Sequence, residues 1–249
     1  MTDYPPILSF GAGVNSTALA ILAINDGWRG EIVFSDTGCE WPETYCYLDY
    51  FEREWLAARG LHVTRLGPRY DPHPSGPSYS GASLIEYCER NHIVPMMAVR
   101  WCTVKWKVTP IDRWAAGRET MIGIAANEAH RQRGRCCPLV DADVDRAGCV
   151  QIIQHEVLNV PQKSGCYICP YQRSVQWRDL WQHHPDLYAR AELMELNGQK
   201  RRSRGGTITL DPKGKITLAQ RRRAFEAQLA LPEIDMDELR AYQPCVCGL

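Results

Sequence analysis

The sequence predicts an α/β fold: a parallel sheet flanked by helices, followed by a mainly helical, cysteine-bearing C-terminal part. Short apolar runs at residues 7–10, 31–36 and 61–66 alternate with two segments of helical periodicity. Strands that alternate with helices in this way pair in parallel. Beyond residue 135 the chain changes to helical segments that carry several cysteines. We therefore divide it into an α/β part (1–135), a helical part packed on it (136–200) and a basic extension ending in Cys-x-Cys (201–249).

The first elements follow from local signals. The apolar "ILSF" predicts a strand, "GAGVNS" a glycine-rich turn, and "TALAILAIN" a helix that ends before Asp26-Gly27. "EIVFSD" predicts a second buried strand. Residues 41–60 predict a helix with proline in its first turn and glycine at its end, and "LHVTRL" predicts a third strand.

The later elements are read in the same way. Residues 67–81 are rich in Pro, Gly and Ser and predict a mobile loop over the carboxyl edge of the sheet. Helices are expected on both sides of Pro110, and "ETMIGI" predicts a further strand. Further helices are predicted at 150–158, 174–184, 185–196 and, as a basic amphipathic helix, 215–230.

Composition narrows the class of protein. The 249 residues carry 29 basic and 29 acidic side chains, so no overall charge favours a nucleic-acid or membrane partner. No signal peptide or membrane span is recognised, and we expect a cytoplasmic protein without a membrane partner; oligomerisation is left open. Eleven cysteines, an odd number, argue against a purely disulfide framework and favour thiolate ligands or reactive thiols.

The glycine-rich turn predicts an anion site. In "SFGAGVNST", residues 9–17, glycines allow close approach of an anion to backbone amides at a helix N-terminus, and Ser16 and Thr17 add hydroxyl donors. The lysine of the GxxxxGK[ST] phosphate loop is absent, and a simple tight turn is the structural alternative. Asp36, after the second strand, would contact ribose or a metal, or would cap a helix.

Four segments, in order along the chain, resemble a known family. "SFGAGVNST" resembles the SGGxDS pyrophosphate loop of the adenine-nucleotide α-hydrolase (PP-loop ATP pyrophosphatase) superfamily, and "VFSDTGCEWPET" resembles the adenosine-contacting segment of its phosphoadenylylsulfate (PAPS) reductase branch. "RWCTVKWKVTP" is similar to the C-[CT]-x₃-K-x₂-P element of that branch, and "GIAANEAHR" to its GxRxxExxxR element. The resemblance implies a Rossmann-like (HUP/PP-loop) sheet that binds a nucleotide.

Two segments nearer the C-terminus extend the resemblance. "KSGCYICPYQRSVQW" resembles a C-x₂-C-P segment of standalone members, including phage and prophage proteins, and the final "CGL" resembles part of the reductases' ECGLH tail. Asn15 replaces the loop's acidic residue, Ala125 an arginine and Thr103 the second cysteine of a Cys-Cys pair. Because the tail also lacks its histidine, the match to a true sulfonucleotide reductase is weakened.

The resemblance implies a set of site residues. ATP with Mg²⁺ is the expected ligand of the glycine turn, and Lys107, Arg131 and Cys247 are the expected catalytic residues. The expected nucleotide-binding residues are Ser9, Phe10, Gly11, Ala12, Gly13, Asn15, Ser16, Thr17, Asp36, Thr37, Gly123 and Glu128.

The cysteines form the second predicted site. Cys166 and Cys169 lie on one tight turn and suit a metal, and nearby Arg100, Lys105 and Lys107 are expected to lower the pKa of Cys102. Family precedent places such cysteines around a [4Fe–4S] cluster, with Zn²⁺ as the alternative. For the fourth ligand we favour Cys149 over Cys136, Cys137, Cys245 and Cys247.

Three functions fit these patterns. The first is ATP-dependent sulfur transfer to a nucleic acid, as in Dnd- and Ssp-type DNA phosphorothioation or tRNA thiolation, with a cysteine desulfurase or another sulfur donor. The second is PAPS or APS reduction, in which Cys247 attacks sulfur. The third is a non-catalytic zinc-knuckle module that binds nucleotide or nucleic acid. The basic runs 200–204 and 221–223 would contact nucleic acid in the first and third, although a solvated face is the alternative for each.

Overall fold

The structure, a computed structural model, describes residues 4–67, 82–200, 209–211 and 214–227. Its strands are β1 (Ile7–Ser9), β2 (Ile32–Ser35), β3 (Val63–Leu66) and β4 (Thr120–Ile122). They form one parallel sheet in the order β3-β2-β1-β4, with Ser9 opposite Val33 on one side and Ile122 on the other. The predicted α/β class with a parallel sheet is confirmed.

Helices connect and cover these strands. Their bounds are α1 (Val14–Asn25), α2 (Pro42–Phe51), α3 (Leu84–Asn91), α4 (Trp101–Thr103), α5 (Thr109–Ala115), α6 (Pro138–Asp141), α7 (Arg146–His155), α8 (Ser174–His183), α9 (Pro185–Lys200) and α10 (Leu218–Glu226). A π-helical turn (Glu52–Leu56) and a 3₁₀ turn (Ala57–Arg59) extend α2 to Gly60, which has the left-handed conformation expected at a helix end. A second π-helical turn (Val104–Val108) joins α4 to α5.

The strand order creates a reversal point beside β1. The chain runs from β1 to β2 and β3 on one side and then returns to place β4 on the other side of β1. In open parallel sheets, ligands bind beyond the carboxyl ends of the strands at such a reversal. The carboxyl ends of β1, β2 and β4 therefore mark where a site is expected.

The interior is divided into apolar clusters. One contains β1, α1, α2 and α7, where Phe10 stacks on Phe51 with ring centroids 5.4 Å apart. A second lies among α3, α8, α9 and α10 and includes Trp41, Trp106, Trp177 and several cysteines. A small third cluster lies under α5. Within the described ranges, no helix is long and apolar enough to span a bilayer.

Candidate functional site

The glycine-rich turn runs from the end of β1 into α1. Gly13 is the N-cap of α1, and its carbonyl accepts hydrogen bonds from the hydroxyls of Ser16 and Thr17, each at 3.0 Å. Ser16 Oγ also accepts from Gly13 N at 3.2 Å and so caps the helix, whereas Thr17 bonds only back to the Gly13 carbonyl. Both hydroxyls that were expected to face a phosphate therefore bond to the helix backbone. The groups left to bind an anion are the backbone N–H groups of the first helical turn, which have no acceptor within the helix.

Two neighbouring segments enclose this turn. A Cβ added to Gly123, just beyond β4, would lie 2.8 Å from the Ser16 nitrogen and 2.9 Å from the Asn15 carbonyl carbon. A Cβ added to Gly13 would lie 2.6 Å from Ser164 Oγ. Strand β4 thus packs against one side of the turn, and the segment that leads into Cys166 packs against the other.

Asn15 bonds to Arg146 and Glu128 near the turn. Its Oδ1 accepts a hydrogen bond from Arg146 Nη1 at 2.8 Å, and its Nδ2 donates to Glu128 Oε2 at 3.3 Å. Glu128 also pairs with Arg131. An aspartate at position 15 could not donate to Glu128, so this network favours an amide at that position. The predicted residues Asn15, Glu128 and Arg131 lie together; Arg146 was not predicted.

Positive charge collects on the side of Ser164. Partial desolvation, and then the nearby Arg173 and Arg146, lower the pKa of Lys163 below its ordinary value. A cation whose pKa is lowered by other cations lies in a region that favours an anion. This region adjoins the turn, because Lys163 precedes Ser164 in the chain and Arg146 bonds to Asn15.

Other predicted nucleotide-binding residues have mainly structural contacts. Phe10 is part of the core, and Ala12 is buried with a left-handed φ of 51°. Asp36 is buried at the end of β2, where its Oδ1 accepts from Gly38 N at 2.8 Å and from Tyr45 Oη at 2.6 Å. These bonds order the turn after β2, and the helix-capping alternative is not observed, because the N-cap of α2 is Trp41. Contact of Asp36 with ribose or a metal stays a prediction. Ser9 ends β1, and Gly11 lies at the start of the turn.

Thr37 belongs to the cysteine site. Its hydroxyl lies 3.4 Å from Cys39 Sγ and 3.2 Å from Cys166 Sγ, and it donates to Glu40 Oε1 at 3.0 Å. Glu40 and Cys166 form a backbone bridge, so the segment after β2 lies alongside the Cys166 turn.

The structure assembles a buried thiol group around Cys166, made up of Cys39, Cys88, Cys102, Cys166 and Cys169. Burial, followed by the charge of Cys166, raises the pKa of Cys102, and the same two causes raise the pKa of Cys169 to about 12. Burial also raises the pKa of Cys88, with Cys102 and Cys166 contributing, and that of Cys39, with Cys166 contributing. All five lie in the second apolar cluster, fully or partly buried.

This group corrects the expectation for Cys102, whose pKa was expected to be lowered by adjacent cations. Lys107 Nζ instead pairs with Glu40 Oε1 at 2.8 Å, and Lys105 Nζ donates to Tyr87 Oη at 3.1 Å. Burial of the Cys102 thiol therefore dominates and raises its pKa.

The buried carboxylate of Glu40 links Lys107 to the thiol group. The Glu40 side chain is 1% exposed, and its Oε1 also accepts from Cys166 Sγ at 3.5 Å. Burial alone would lower the pKa of Lys107, but Glu40 and then Cys166 outweigh it and raise the pKa above its ordinary value. Glu40 Oε2 is buried without a hydrogen-bond partner in the described part of the chain.

Cys149 lies apart from the thiol group. It is fully buried in the first apolar cluster on α7, and burial raises its pKa to about 11. Cys39 and Cys88, which were not predicted, lie in the second cluster with Cys166. Among the described side chains, no three from His, Cys, Asp and Glu converge closely enough to ligate one metal ion.

The predicted basic run 221–223 is largely neutralised. Arg221 pairs with Asp211 at 2.6 Å and donates to Ser174 Oγ at 2.8 Å, while Arg222 pairs with Glu192 and Glu226. Residues 201–204 of the other run, Cys245, Cys247 and positions 68–81 of the predicted loop lie outside the described residues.

Comparisons with known proteins find similarity among solved structures. No protein-family model matches this chain, and no curated protein matches it. The crystal structure of phosphoadenylyl-sulfate (PAPS) reductase from Candida auris, a phosphate complex, matches with 15% sequence identity and a TM-score of 0.46, covering 66% of this chain and 82% of that chain. Similarity at this level carries no information about substrate or activity.

Proposed function

We propose that this chain catalyses ATP-dependent sulfur transfer, in which an acceptor is adenylylated with release of pyrophosphate and then receives sulfur. The observation that carries the proposal is the contact between Gly13 and Ser164. This contact supports the proposal because the N-terminus of α1, the proposed anion site, then lies next to the turn that bears Cys166 and Cys169. An enzyme that activates with ATP and then delivers sulfur needs these two sites next to each other.

The nucleotide end rests on the glycine turn. The N–H groups at the start of α1 would bind the pyrophosphate of ATP, with Lys163 and Arg146 supplying positive charge. Mg²⁺ would be held mainly by the phosphates, because Asn15 is already bonded to Arg146 and Glu128. Arg131 lies in the same network through Glu128. The chemical contribution of these groups is positioning and charge stabilisation while the acceptor oxygen attacks the α-phosphorus.

The sulfur end rests on the thiol group. Thiolates suit a [4Fe–4S] cluster or Zn²⁺. Cys102, Cys166 and Cys169 would hold either one, with Cys88 or Cys39 as the fourth ligand in place of Cys149, once these side chains, which do not converge on one ion in this structure, draw together. A cluster bound there would supply a site for sulfur. Lys107, held by Glu40, would supply positive charge beside the thiol group, where sulfur would be held. A cysteine desulfurase or another donor would provide the sulfur, and we propose a nucleic acid as acceptor.

The test is product analysis under anaerobic conditions. Purified chain is incubated with Mg²⁺-ATP, a persulfide donor, excess thiol as the two-electron reductant that releases the transferred sulfur, and either total tRNA or synthetic DNA; we expect AMP, pyrophosphate and sulfur in the nucleic acid. Cys166→Ser is expected to abolish sulfur incorporation while leaving nucleotide binding intact.

Two results would overturn the proposal. Sulfite release from PAPS or APS with thioredoxin, without ATP consumption, would identify a sulfonucleotide reductase. A colourless, zinc-containing protein that turns over none of these substrates would indicate a binding module.

A further inference from the structure

An exposed surface lies next to the thiol group, on residues 96–105 and Tyr171; we call it the 96–105 surface. Met96, Val99, Val104 and Tyr171 are 44%, 60%, 52% and 43% exposed, respectively. Apolar side chains exposed together in this way mark interaction sites in soluble proteins.

Its two segments are in contact. Tyr171 Oη donates to the Met97 carbonyl at 3.4 Å, and the Arg100 guanidinium lies 5.7 Å from the centre of the Tyr171 ring. Each segment also carries a member of the thiol group: Cys102 directly follows Arg100-Trp101, and Cys169 lies two residues before Tyr171. A molecule bound on this surface would therefore lie beside the proposed sulfur site.

The cations of the surface have no acidic partners in the described part of the chain. Neither Arg100 nor Lys105 forms an ion pair with a described carboxylate. Lys105 contacts only an aromatic residue, Tyr87, whose ring centre lies 4.9 Å from its ammonium. Arg222, from the predicted basic run, is by contrast paired with two glutamates.

The backbone of Arg100 adds a further observation. Its φ is 48°, in the left-handed region that non-glycine residues rarely adopt. The conformation places an arginine at the start of α4, where glycine would be less strained. Strain of this kind concentrates at functional sites.

We propose that the 96–105 surface binds single-stranded nucleic acid, with Tyr171 stacking on a base and with Arg100 and Lys105 contacting phosphates. Unpaired cations beside an exposed aromatic ring suit a strand that offers both phosphates and the faces of unpaired bases. A duplex keeps its base faces stacked, and an acidic protein has carboxylates but no bases. The role of the 96–105 surface rests on the proposed function: the surface would hold the nucleic-acid acceptor beside the proposed sulfur site.

The test measures binding of labelled oligonucleotides by fluorescence anisotropy at several salt concentrations, without ATP. The probes are a 20-nucleotide single-stranded DNA, the same sequence as RNA, and the corresponding DNA duplex, with poly-glutamate as competitor. We expect a single strand to bind more tightly than the duplex, and the DNA and RNA arms to identify which strand is preferred.

The variants separate stacking from charge. Tyr171→Ala should weaken single-strand binding about tenfold or more, whereas Tyr171→Phe should retain it. Arg100→Ala and Lys105→Ala should each weaken binding and reduce the slope of log K against log salt by about 0.7. Arg53→Ala, which removes a 69% exposed positive charge outside both the 96–105 surface and the predicted basic runs, is the matched control and should bind like the parent chain. Circular dichroism confirms that each variant is folded.

Three results would overturn the proposal: tighter binding of the duplex, equal competition by poly-glutamate, or unchanged binding by folded Tyr171→Ala and Arg100→Ala. The outcome is separate from that of the ATP assay. Strand binding without formation of AMP would refute the proposed function and leave the surface standing. AMP formation with unaltered strand binding by the variants would refute only the surface.

Discussion

At the scale of single residues, the site depends on side chains that connect its parts. Asn15 joins Arg146 to Glu128 because an amide both accepts and donates. Glu40 joins Lys107 to Cys166 because it is buried with one oxygen in contact with both. Removal of the cation would leave this carboxylate buried without a charged partner, which is costly.

The pair of Glu40 and Lys107 predicts the relative stabilities of a single and a double variant. Lys107→Gln leaves Glu40 buried without its cation and should lower the free energy of unfolding by about 1–3 kcal/mol, less than for a fully buried pair because Lys107 is 38% exposed. The double variant Glu40→Gln/Lys107→Gln should be more stable than Lys107→Gln alone and should still lack sulfur transfer. Urea unfolding measures the free energy of unfolding of each variant. Equal destabilisation of the two variants would argue against a stabilising interaction between Glu40 and Lys107.

Cys149 makes the stability depend on pH. Because burial raises its pKa from 9.0 to about 11, its thiol is fully protonated below pH 9 and stabilises the folded chain there. As pH rises from 9 to 11, unfolding releases a proton, and this contribution is lost at roughly 1.4 kcal/mol per pH unit. Cys149→Ala should show a shallower loss of unfolding free energy across this window in urea titrations. Identical slopes for the two proteins would contradict the prediction.

At the scale of elements, close backbone approach forms the site. The N-terminus of α1 packs between the end of β4 and the segment before Cys166, and glycine at positions 123 and 13 makes both contacts feasible. Ser83 caps α3 by accepting from Glu86 N, and Glu86 bonds back to Ser83 N, so the helix that carries Cys88 starts at a defined residue.

A matched pair of glycine substitutions tests this packing. Gly123→Ala forces a Cβ against the backbone of Asn15 and Ser16 and should lower the free energy of unfolding by about 1–3 kcal/mol and weaken ATP binding. Gly165→Ala places its Cβ in open space and should leave both unchanged. Thermal unfolding and calorimetric titration with ATP distinguish the two variants. Unimpaired ATP binding by Gly123→Ala would show that the turn is not the nucleotide site.

At the scale of the whole molecule, the chain brings distant cysteines together and separates near ones. Cys39 follows β2, Cys88 is on α3, Cys102 is on α4, and Cys166 and Cys169 are on the turn before α8. All five nevertheless lie in the second apolar cluster. Cys149 is only 17 positions from Cys166, but it lies on α7, which packs against α1 in the first apolar cluster.

This separation predicts which cysteines affect bound metal. Cys102→Ser, Cys166→Ser and Cys169→Ser should each lose most of the iron and visible absorbance of the anaerobically purified protein. Cys149→Ala should retain both. Cys88→Ser and Cys39→Ser, compared with each other, should identify the fourth ligand as the one whose loss removes iron. Retained iron in Cys166→Ser, or lost iron in Cys149→Ala, would contradict the placement.

The sequence by itself determined the parallel α/β class, the order of its elements and the glycine turn, because strand periodicity, capping residues and glycine act within a few positions. Tertiary structure alone decided that Thr37 and Glu40 bond to Cys166, that Cys39 and Cys88 lie in the same apolar cluster as Cys166, and that Cys149 lies in another cluster. Such contacts join residues up to 129 positions apart, as between Thr37 and Cys166. Local sequence patterns do not predict these contacts, because the packing of whole helices and strands brings the side chains together.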